Sequence, residues 1–383
     1  MSDLSDMVVI DIGSKSICAY NAERLSDDNF AVKNSYEIEY GGFMDGAWIA
    51  PEEVLPSIVK LIDKIERNSG RIKRVYVGIP SQFAIVRTVY EKVSFPQRKR
   101  VTSADITDLF DENDPFIASP YTRIHAEAAY YLNDKGERLA SPIGKETSAL
   151  KTQIAYVGVK TDVITSIRQG LLRYGVKSVE FIQSEYAAAL ALFSKEEREN
   201  GVVLADIGYL STSVMFIGGD AMLELKDFSL GGSMIPLGIS TTMNIPFNVA
   251  AALAQKINLG YRGEGDYSLK YDANTYTYPI EQINVIAKEC ISCVVNYIRK
   301  AMTAFRFDIA HDQTIFLTGG GFSEIRFSRE YISKCFNRDV EVVQPSMPNY
   351  DKPCYSTMVG LLKKAIIMEK GEKFGFFKRL FRL

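Results

Sequence analysis

The strongest constraint on the fold is a short pattern that occurs twice, near the start of the chain and again about halfway along it. The stretch VVIDIGSKSICAYN, residues 8–21, reads as an apolar strand, an acidic turn with a glycine, and a second strand. The stretch VVLADIGYLSTSVMFIGG, residues 202–219, repeats this order, and Asp-Ile-Gly occupies 11–13 in one and 206–208 in the other. A repeated strand–turn–strand unit predicts two lobes of similar architecture.

The length of the chain and the elements around the repeats agree with this arrangement. At 383 residues the chain exceeds what a single hydrophobic core usually serves. Apolar strands and amphipathic helices alternate along it, which is typical of the α/β class. The predicted strands lie at 74–80, 176–185 and 313–321, and the predicted helices at 50–68, 161–175 and 356–368.

Two regions interrupt this alternation. Residues 90–160 contain glycine and proline turns between short strands, and they read as a small inserted α+β unit. Residues from 241 to about 275 form a second insertion, which ends in the polar, tyrosine-rich loop GYRGEGDYSLKYDANTYTYP.

The repeated turns carry residue types that bind phosphate. A glycine in a tight turn lets backbone N–H groups approach a phosphate, hydroxyl side chains add donors, and Lys15 supplies a positive charge. Asp11 and Asp206 can hold a hydrated Mg²⁺, which keeps several waters and few carboxylates. Two such turns facing each other would hold one triphosphate from both sides. The predicted phosphate-binding residues are Gly13, Ser14, Lys15, Ser16, Gly208 and Ser211.

Two further stretches extend this candidate site. Three glycines follow a buried strand in LTGGGFSEI and permit close backbone approach to a ligand such as an adenosine. Glu185 lies where a strand meets a helix and can orient an attacking water, so that Glu185, Asp11 and Asp206 are the candidate catalytic residues. Each piece alone is more typical of a structural turn or a helix start, whereas their combination in this order indicates nucleotide binding. The candidate adenosine contacts are Gly319, Gly320, Gly321 and Ser323.

Composition and missing motifs exclude several other classes. The sequence contains no G-x-x-x-x-G-K-[ST], G-x-S-x-G or H-E-x-x-H, and its net charge of −2 gives no basic field for nucleic acid. The acidic N-terminus is unlike a signal peptide and the five scattered cysteines suit a reducing compartment, so a cytosolic protein is expected. Cys290 and Cys293 form C-x-x-C on one face of a predicted helix, which favours core packing over metal or redox chemistry.

The last residues, GEKFGFFKRLFRL, sort into two faces on a helical wheel. Apolar side chains fill about half of the circle and cations fill much of the other half. A lipid surface, a partner groove or the protein's own core could take such a stripe, but its cations would gain little in a core. The predicted membrane-contacting residues are Phe374, Phe376, Phe377, Lys378, Arg379, Leu380, Phe381 and Arg382.

In these motifs the sequence resembles the actin/Hsp70/sugar-kinase superfamily. The matching segments are 11–16 and 206–213 for the two phosphate motifs, 183–190 and 356–361 for the two connecting motifs, and 317–323 for the adenosine motif. Within the superfamily the sequence is similar to the FtsA family of bacterial cell-division proteins. Residues 123–150 resemble the inserted subdomain of that family, 40–54 its early Gly-x-x-x-Gly loop and following helix, and 374–383 its C-terminal membrane-targeting helix.

The resemblance covers essentially the whole chain and implies a fold. That fold is α/β, actin-like (ribonuclease H-like) and bilobal, with four subdomains, an inserted α+β subdomain and a C-terminal amphipathic helix. The implied boundaries are 1–89 with 161–197 and 355–368 for the first lobe core (1A), 90–160 for the insert (1C), 198–240 with 297–354 for the second lobe core (2A), 241–296 for subdomain 2B, and 369–383 for a linker and the membrane-targeting helix.

The resemblance also implies a function. A member of this family binds ATP and Mg²⁺, forms filaments, and tethers the FtsZ ring to the cytoplasmic face of the cell membrane at the division site, as a peripheral protein. The implied partners are the FtsZ C-terminal peptide, docked on 241–296, further copies of the chain, anionic membrane lipid and other divisome proteins, with no nucleic acid.

Two departures from the family pattern affect the nucleotide site. Tyr209 and Leu210 stand where the second phosphate motif usually has glycines, which leaves fewer close backbone contacts for phosphate. Gln255 and Asn258 replace the Glu and Lys of the adenosine-contacting A-E-x-x-K, so Gln255 is an uncharged candidate contact for the ribose. ATP binding with at most a weak Mg²⁺-dependent ATPase activity is therefore expected.

Two other functions stay open on the same fold. A sugar-kinase-like phosphotransferase would need a catalytic aspartate in a substrate pocket between the lobes, and the sequence shows no motif for one. A pilus-assembly or magnetosome-type actin homologue is disfavoured by the inserted unit at 90–160 and by the cationic tail.

Overall fold

In a computed structural model of the chain, the described residues are 6–26, 29–272 and 274–381, with side chains described as far as residue 369. The strands are β1 (Asp6–Ile12), β2 (Ser16–Arg24), β3 (Phe30–Glu39), β4 (Phe43–Met44), β5 (Ala47–Trp48), β6 (Arg74–Ile79), β7 (Ala84–Arg100), β8 (Tyr121–Leu132), β9 (Arg138–Leu139), β10 (Glu146–Lys160), β11 (Ser178–Gln183), β12 (Val202–Ile207), β13 (Thr212–Gly218), β14 (Ala221–Phe228), β15 (Asp266–Tyr271), β16 (Asn274–Pro279), β17 (Ile315–Thr318) and β18 (Val340–Val342). The helices are α1 (Pro51–Ser69), α2 (Ser103–Glu112), α3 (Thr161–Tyr174), α4 (Ser184–Leu192), α5 (Lys195–Glu199), α6 (Met234–Met243), α7 (Phe247–Ala254), α8 (Ile280–Thr303), α9 (Ser328–Phe336) and α10 (Ser356–Phe381).

Two five-stranded sheets have the same strand order. In the first, β1, β2 and β3 form an antiparallel meander, while β6 and then β11 add in parallel on the other side of β1. In the second, β12, β13 and β14 form the meander, while β17 and β18 add in parallel beside β12. Asp11 and Asp206 each occupy the last residue but one of the central strand. The predicted duplication is therefore confirmed, and the two sheets are the cores of two lobes.

The central strand of the first lobe is apolar on both of its faces. Successive side chains of a strand point to opposite sides, so that Val8 and Ile10 pack against α1 and α3 while Met7 and Val9 pack against α4 and α10. A strand that is covered on both faces reads as a continuous apolar run, which is why the sequence around it predicts a buried strand. Asp11 is a charged residue in this otherwise apolar run. It lies at the end of β1 that lines the cavity described below.

The inserted unit is a separate four-stranded sheet in the order β7, β10, β8, β9, accompanied by α2. The sequence analysis predicted short strands here, and that prediction is wrong. β7 has 17 residues, β8 has 12 and β10 has 15. Pro96 lies within β7, where the pairing of β7 with β10 shifts register between Ser94 and Lys99. Pro96 therefore falls where no ladder hydrogen bond has to be made, and the strand continues past it.

The second insertion packs on the second lobe. The tyrosine-rich loop is the hairpin β15–β16, and Tyr267 is buried in it with its hydroxyl donating to Asn284 Oδ1 of α8 at 3.2 Å. Cys290 and Cys293 both lie in α8 as half-buried free thiols, and Cys290 Sγ donates to the carbonyl of Met234 at 3.2 Å. In the described part of the chain, no helix has the length and apolar character needed to cross a membrane.

Candidate nucleotide site

The two repeated turns have the same backbone geometry. The N–H of Gly13 donates to the carbonyl of Ser16 at 3.0 Å, and the N–H of Gly208 donates to the carbonyl of Ser211 at 2.9 Å. A Cβ added to either glycine would lie 3.0 Å from the serine carbonyl oxygen that it faces. The glycine that both sequences share is thus required by the same close approach in both turns.

The two turns face each other across a cavity of about 640 Å³ between the lobes. They touch directly, because the N–H of Leu210 donates to Ser14 Oγ at 3.0 Å. The predicted residues that line the cavity are Asp11, Gly13, Ser14, Lys15, Ser16, Glu185, Asp206, Gly208, Ser211, Gln255, Gly319, Gly320 and Gly321. Ser323 is placed elsewhere: it lines a much smaller void behind the glycine loop, and its neighbour Glu324 lines the cavity instead.

The glycine loop packs under the second turn. The N–H of Gly321 donates to the carbonyl of Ile207 at 2.7 Å, which ties the loop to the end of β12. Gly319 has a φ of +89°, and a Cβ there would lie 2.3 Å from Asp206 Oδ1. Both the backbone conformation and the lack of space therefore require glycine at position 319.

A second glycine pair completes this packing, and the sequence reasoning missed it. Gly231 and Gly232 precede α6, and the N–H of Gly232 donates to the carbonyl of Gly208 at 2.9 Å. A Cβ at Gly231 would lie 2.5 Å from that same carbonyl oxygen. Gly232 lines the cavity. The signal that could have revealed the pair is two adjacent glycines between a strand and a helix.

Three carboxyl side chains meet at the end of the cavity where the two turns face each other. Removal from water is the main cause that raises the pKa of each: the pKa of Asp11 rises to about 7 and that of Asp206 to about 8, while that of Glu185 also rises. The neighbouring negative charge of Glu185 adds to the shift at both aspartates. Carboxyl groups that repel one another in this way favour a bound cation.

Glu185 is held in place from two directions. The N–H of Ser81 donates to Glu185 Oε1 at 3.1 Å, and the side-chain amide of Gln183 donates to Glu185 Oε2. Gln183 in turn accepts the N–H of Tyr186 at 2.6 Å, so that it both caps α4 and orients the carboxyl group. Glu185 lies at the junction of β11 and α4, where the sequence placed it.

Two buried hydroxyl groups in the cavity wall have no hydrogen-bond partner among the described residues. They are Ser184 Oγ, on the residue before Glu185, and Ser213 Oγ, which faces Asp206 in the register of β12 and β13. A hydrated Mg²⁺ fits this set of groups, because its waters would bond to the aspartates and to such free oxygens. Among the described residues there is no group of three or more His, Cys, Asp or Glu side chains arranged to hold a metal ion directly. The residues thus suit a cation held through water.

Lys15 lies at the mouth of the cavity and already has partners. Its Nζ is 3.1 Å from Glu39 Oε1 and 5.6 Å from the centre of the Tyr209 ring, and 52% of its side chain is exposed. The hydrogen bond that Lys15 donates to Glu39 is the main cause that raises the pKa of Lys15. A phosphate group would therefore have to compete with Glu39 and Tyr209 for this charge.

A strap formed by residues 40–49 crosses from the first lobe to the second. The hydroxyl of Tyr40 donates to the carbonyl of Gly13 at 2.9 Å. The N–H of Asp45 donates to Ser229 Oγ at 2.8 Å, and Ser229 Oγ donates to Asp45 Oδ1 at 2.7 Å. The strap thus joins the turn at 11–16 to the end of β14 in the other lobe. No sequence motif predicted this contact.

The predicted membrane-contacting residues lie outside the part of the chain whose side chains are described. The backbone of α10 is described as far as Phe381, whereas Arg382 and Leu383 lie outside the described residues.

Comparison of the sequence with known proteins gives relatives of one name, although no family model matches the chain. The chain is 22% identical to the cell division protein FtsA of Neisseria meningitidis over 94% of its length and 90% of the relative. It is 20% identical to FtsA of Bacillus subtilis, over 96% of this chain and 86% of the relative. A 24% identical match to FtsA of Pseudomonas aeruginosa spans 64% of this chain and 59% of that protein.

Comparison with solved structures identifies the fold. The structure titled PilM-PilN type IV pilus biogenesis complex matches with a TM-score of 0.63 and 15% identity, over 95% of this chain and 99% of that one. MreB 5 of Spiroplasma citri bound to AMPPNP matches with a TM-score of 0.57 and 12% identity, over 97% and 99%. The bilobal α/β fold inferred from the repeated turns is therefore confirmed. The chain has the actin-like fold and is similar in sequence to the cell division protein FtsA over most of its length.

Proposed function

We propose that the chain is an ATP-binding, polymerising actin-like adaptor that tethers the FtsZ ring to the cytoplasmic face of the cell membrane at the division site and helps to recruit the divisome. The observation that carries the proposal is the cavity between two equivalent turns, in which three carboxyl groups meet. The relatives that share most of the length of the chain are named as cell-division proteins, which favours this member of the superfamily.

Different parts of the cavity would bind different parts of the nucleotide. The phosphates would lie against the N–H groups of the turns at 13–16 and 208–211, and the adenosine between the loop at 319–321 and Gln255 at the end of α7. Mg²⁺, when bound, would neutralise phosphate charge while Asp11 and Asp206 hold its waters. Glu185 would then orient a water toward the γ-phosphate.

Weak hydrolysis follows from the second turn. Tyr209 and Leu210 fill space that glycines would leave open, and Tyr209 shares Lys15 with Glu39. The nucleotide is therefore proposed to act by fixing the lobes together, and any turnover is slow. Filaments of further copies would gain from a fixed angle between the lobes.

The tail and the second insertion supply the two ends of the tether. Each cation of a short amphipathic helix adds about 1 kcal/mol near an anionic leaflet, so one tail binds reversibly. Several tails on one filament raise the overall affinity by roughly 10²–10⁴-fold. The FtsZ C-terminal peptide is proposed to dock on the unit at 241–296, which includes α7 and the hairpin β15–β16.

Calorimetric titration with ATP tests the nucleotide part of the proposal. The wild-type chain should bind ATP more tightly with Mg²⁺ than with EDTA, and Asp206→Ala should remove most of that difference. Glu341→Ala is the matched control, because Glu341 is an exposed carboxylate on β18, away from the cavity. An Asp206→Ala affinity equal to that of the control would remove Asp206 from the site.

Two binding measurements test the tether. Deleting residues 374–383 should abolish co-sedimentation with anionic vesicles, and unchanged sedimentation would refute the membrane role of the tail. A peptide of the FtsZ C-terminus should bind the full chain saturably.

A pilus-assembly scaffold is the second candidate, and one observation favours it. The alignment with the PilM structure leaves out only about one residue in twenty, so it includes most of the inserted unit at 90–160. The insert therefore does not separate the two candidates, contrary to the sequence argument. No FtsZ-peptide binding at high micromolar concentration, together with binding of a pilus inner-membrane protein peptide, would favour this second candidate.

A further inference from the structure

The first-lobe sheet has two ends of opposite chemistry. The cavity lies at the carboxyl ends of its parallel strands, where Asp11, Pro80 and Glu185 are found. The amino ends of β6 and β11 lie about 20 Å away, since β6 has 6 residues. At that far end the chain returns from α1 and α3 through the segments 70–73 and 175–177.

Five exposed cations gather at this far end, and we call this surface the exit edge. They are Arg67, Arg71, Lys73, Arg173 and Lys177. The structure gives none of the five an ion pair with a carboxylate among the described residues. This surface thus carries five exposed positive charges in a chain whose net charge is −2.

The backbone holds the two cationic segments against each other. The N–H groups of Lys177 and Ser178 both donate to the carbonyl of Lys73, at 2.8 and 3.0 Å. The guanidinium of Arg71 lies so close to Gly175 that a Cβ there would be 2.6 Å from Arg71 Nη2. The backbone therefore holds these cations close to one another, although like charges at this spacing repel.

Helix stability explains only two of the five charges. Arg67 and Arg173 lie in the last turns of α1 and α3, where a cation interacts favourably with the helix dipole. Arg71, Lys73 and Lys177 lie beyond those helices, in loops, so that explanation does not apply to them.

The C-terminal helix leaves the body at the same edge. Glu369 of α10 accepts a hydrogen bond from the Tyr76 hydroxyl at 3.4 Å and lies 4.0 Å from Arg24, and both of these residues are near the amino end of β6. Ile367 of α10 is 54% exposed, and Leu172 and Leu25 at the same end are 45% and 58% exposed. Isolated apolar side chains among unpaired cations are the composition of a surface that rests on anionic lipid.

We propose that the exit edge is a second lipid-contacting surface, which rests on anionic headgroups beside the tail. This inference rests on the membrane role under Proposed function and adds an orientation to it: the nucleotide cavity lies at the end of the lobe away from the lipid. Loop cations that the body already positions lose less conformational freedom on binding than groups that binding itself must order, so they fix how each copy stands on the membrane.

Vesicle co-sedimentation of full-length chains tests the proposal. The variant carries Arg71→Glu, Lys73→Glu and Lys177→Glu. The matched control carries Lys92→Glu, Lys135→Glu and Lys151→Glu, three exposed cations of the inserted sheet for which the structure likewise gives no ion pair among the described residues. Vesicles of phosphatidylcholine alone and of phosphatidylcholine with phosphatidylglycerol are compared at low and physiological salt.

On the anionic vesicles the exit-edge variant should partition roughly 10- to 100-fold more weakly than the wild type, with a shallower salt dependence. The control should stay within about 2-fold of the wild type. A triple change of the same three residues to Gln should give an intermediate loss, and thermal melts of all variants should coincide with the wild type because the residues are exposed.

Four results would overturn the proposal. Equal loss in the exit-edge and control variants would show a general charge effect, and no loss in either would show that the tail acts alone. Unchanged vesicle binding with lost binding to duplex DNA would assign the edge to nucleic acid. If the wild type itself does not sediment with anionic vesicles, the membrane role under Proposed function fails first and this inference falls with it.

Discussion

The turn at 11–16 and the turn at 206–211 share one backbone geometry but differ in their side chains. Both place an aspartate at the end of the central strand and close with the same glycine-to-serine hydrogen bond. Between these fixed points the first turn has Ser14 and Lys15, residue types that suit a phosphate, while the second has Tyr209 and Leu210. The shared residues are those that the backbone requires, and the differing ones are free to set how the ligand is held.

The difference also gives the two turns different roles in the cleft between the lobes. Leu210 gives its N–H to Ser14, and Tyr209 places its ring near Lys15. Ser14 accepts this N–H and keeps its own hydroxyl proton to donate, whereas Tyr209 contacts the Lys15 charge that a phosphate would meet. A nucleotide that enters has to replace these contacts, which would couple binding to the distance between the lobes.

The largest expected effect comes from what the turns share, their aspartates. The pKa values of about 7 and 8 at Asp11 and Asp206 lie above the ordinary value of 3.8, so the folded chain binds more protons than the unfolded chain between about pH 4 and pH 8. The free energy of unfolding without ligand should therefore fall as the pH rises through this window. Asp11→Asn and Asp206→Asn should each raise the free energy of unfolding at pH 8 by about 2 kcal/mol. Each should also make that free energy depend less steeply on pH.

Chemical denaturation at pH 5 and pH 8 measures this effect, and Glu341→Gln serves as the control. If only one of the two variants flattens the slope, the turns are electrostatically unequal and the comparison breaks at this point. In the presence of Mg²⁺ and ATP the wild type should regain stability at pH 8, and the two variants should regain less.

The second effect concerns the backbone that the turns share. Gly13→Ala and Gly208→Ala would each place a Cβ 3.0 Å from a serine carbonyl, so each should lower the free energy of unfolding by about 1 kcal/mol. The two losses should agree within about 0.5 kcal/mol, a spread smaller than either effect. Ser211→Ala is the control, because it changes a side chain in the same turn and keeps the backbone carbonyl that Gly208 bonds to. Gly144→Ala would not serve, because Gly144 has a positive φ that strains alanine.

A loss at one glycine and none at the other would show that the two turns relax differently. Urea unfolding without ligand measures this directly, and the nucleotide is left out so that binding does not mask the difference.

The shared part of the turns was predictable from sequence, and the coupling between them was not. Asp-Ile-Gly after an apolar strand predicts the local turn, because a strand end, a carboxyl group and a glycine are all neighbours along the chain. The contacts of Leu210 with Ser14 and of Ser229 with Asp45 join residues far apart in sequence, so no local pattern predicts them. The same reason hid the approach of Gly231 to the second turn.

The inserted sheet illustrates a different reason for failure. Pro96 and its charged neighbours favour a loop by local preference, yet β7 passes through them because β10 pairs with it on both sides of the irregularity. Tertiary pairing outweighed local preference there. Ser323 was misplaced for a similar reason, since Phe322 packs into the second-lobe core and Ser323 lines the small void beside it, while Glu324 again lines the cavity.

The third effect tests what differs between the turns. Tyr209→Gly should free Lys15 from the ring and open the backbone to phosphate, which should tighten ATP binding by about 3- to 10-fold. Tyr209→Phe keeps the ring over Lys15 and should leave the affinity within about 2-fold. Equal affinities for the two variants would mean that the ring does not compete for Lys15, and that the second turn differs from the first only in sequence.

The smallest effect isolates the one hydrogen bond that joins the turns. Ser14→Ala removes the acceptor for the N–H of Leu210, a buried side-chain partner at 3.0 Å, and should cost about 1 kcal/mol or less without ligand. Ser16→Ala is the matched control, because Ser16 keeps its backbone carbonyl for Gly13 and lies in the same turn. If this hydrogen bond holds the two turns together, Ser14→Ala should also speed hydrogen exchange at Leu210, whereas Ser16→Ala should not. Faster exchange in both variants would mean that the first turn loosens as a unit, and the two turns would then be coupled through the strap at 40–49 and not through Ser14.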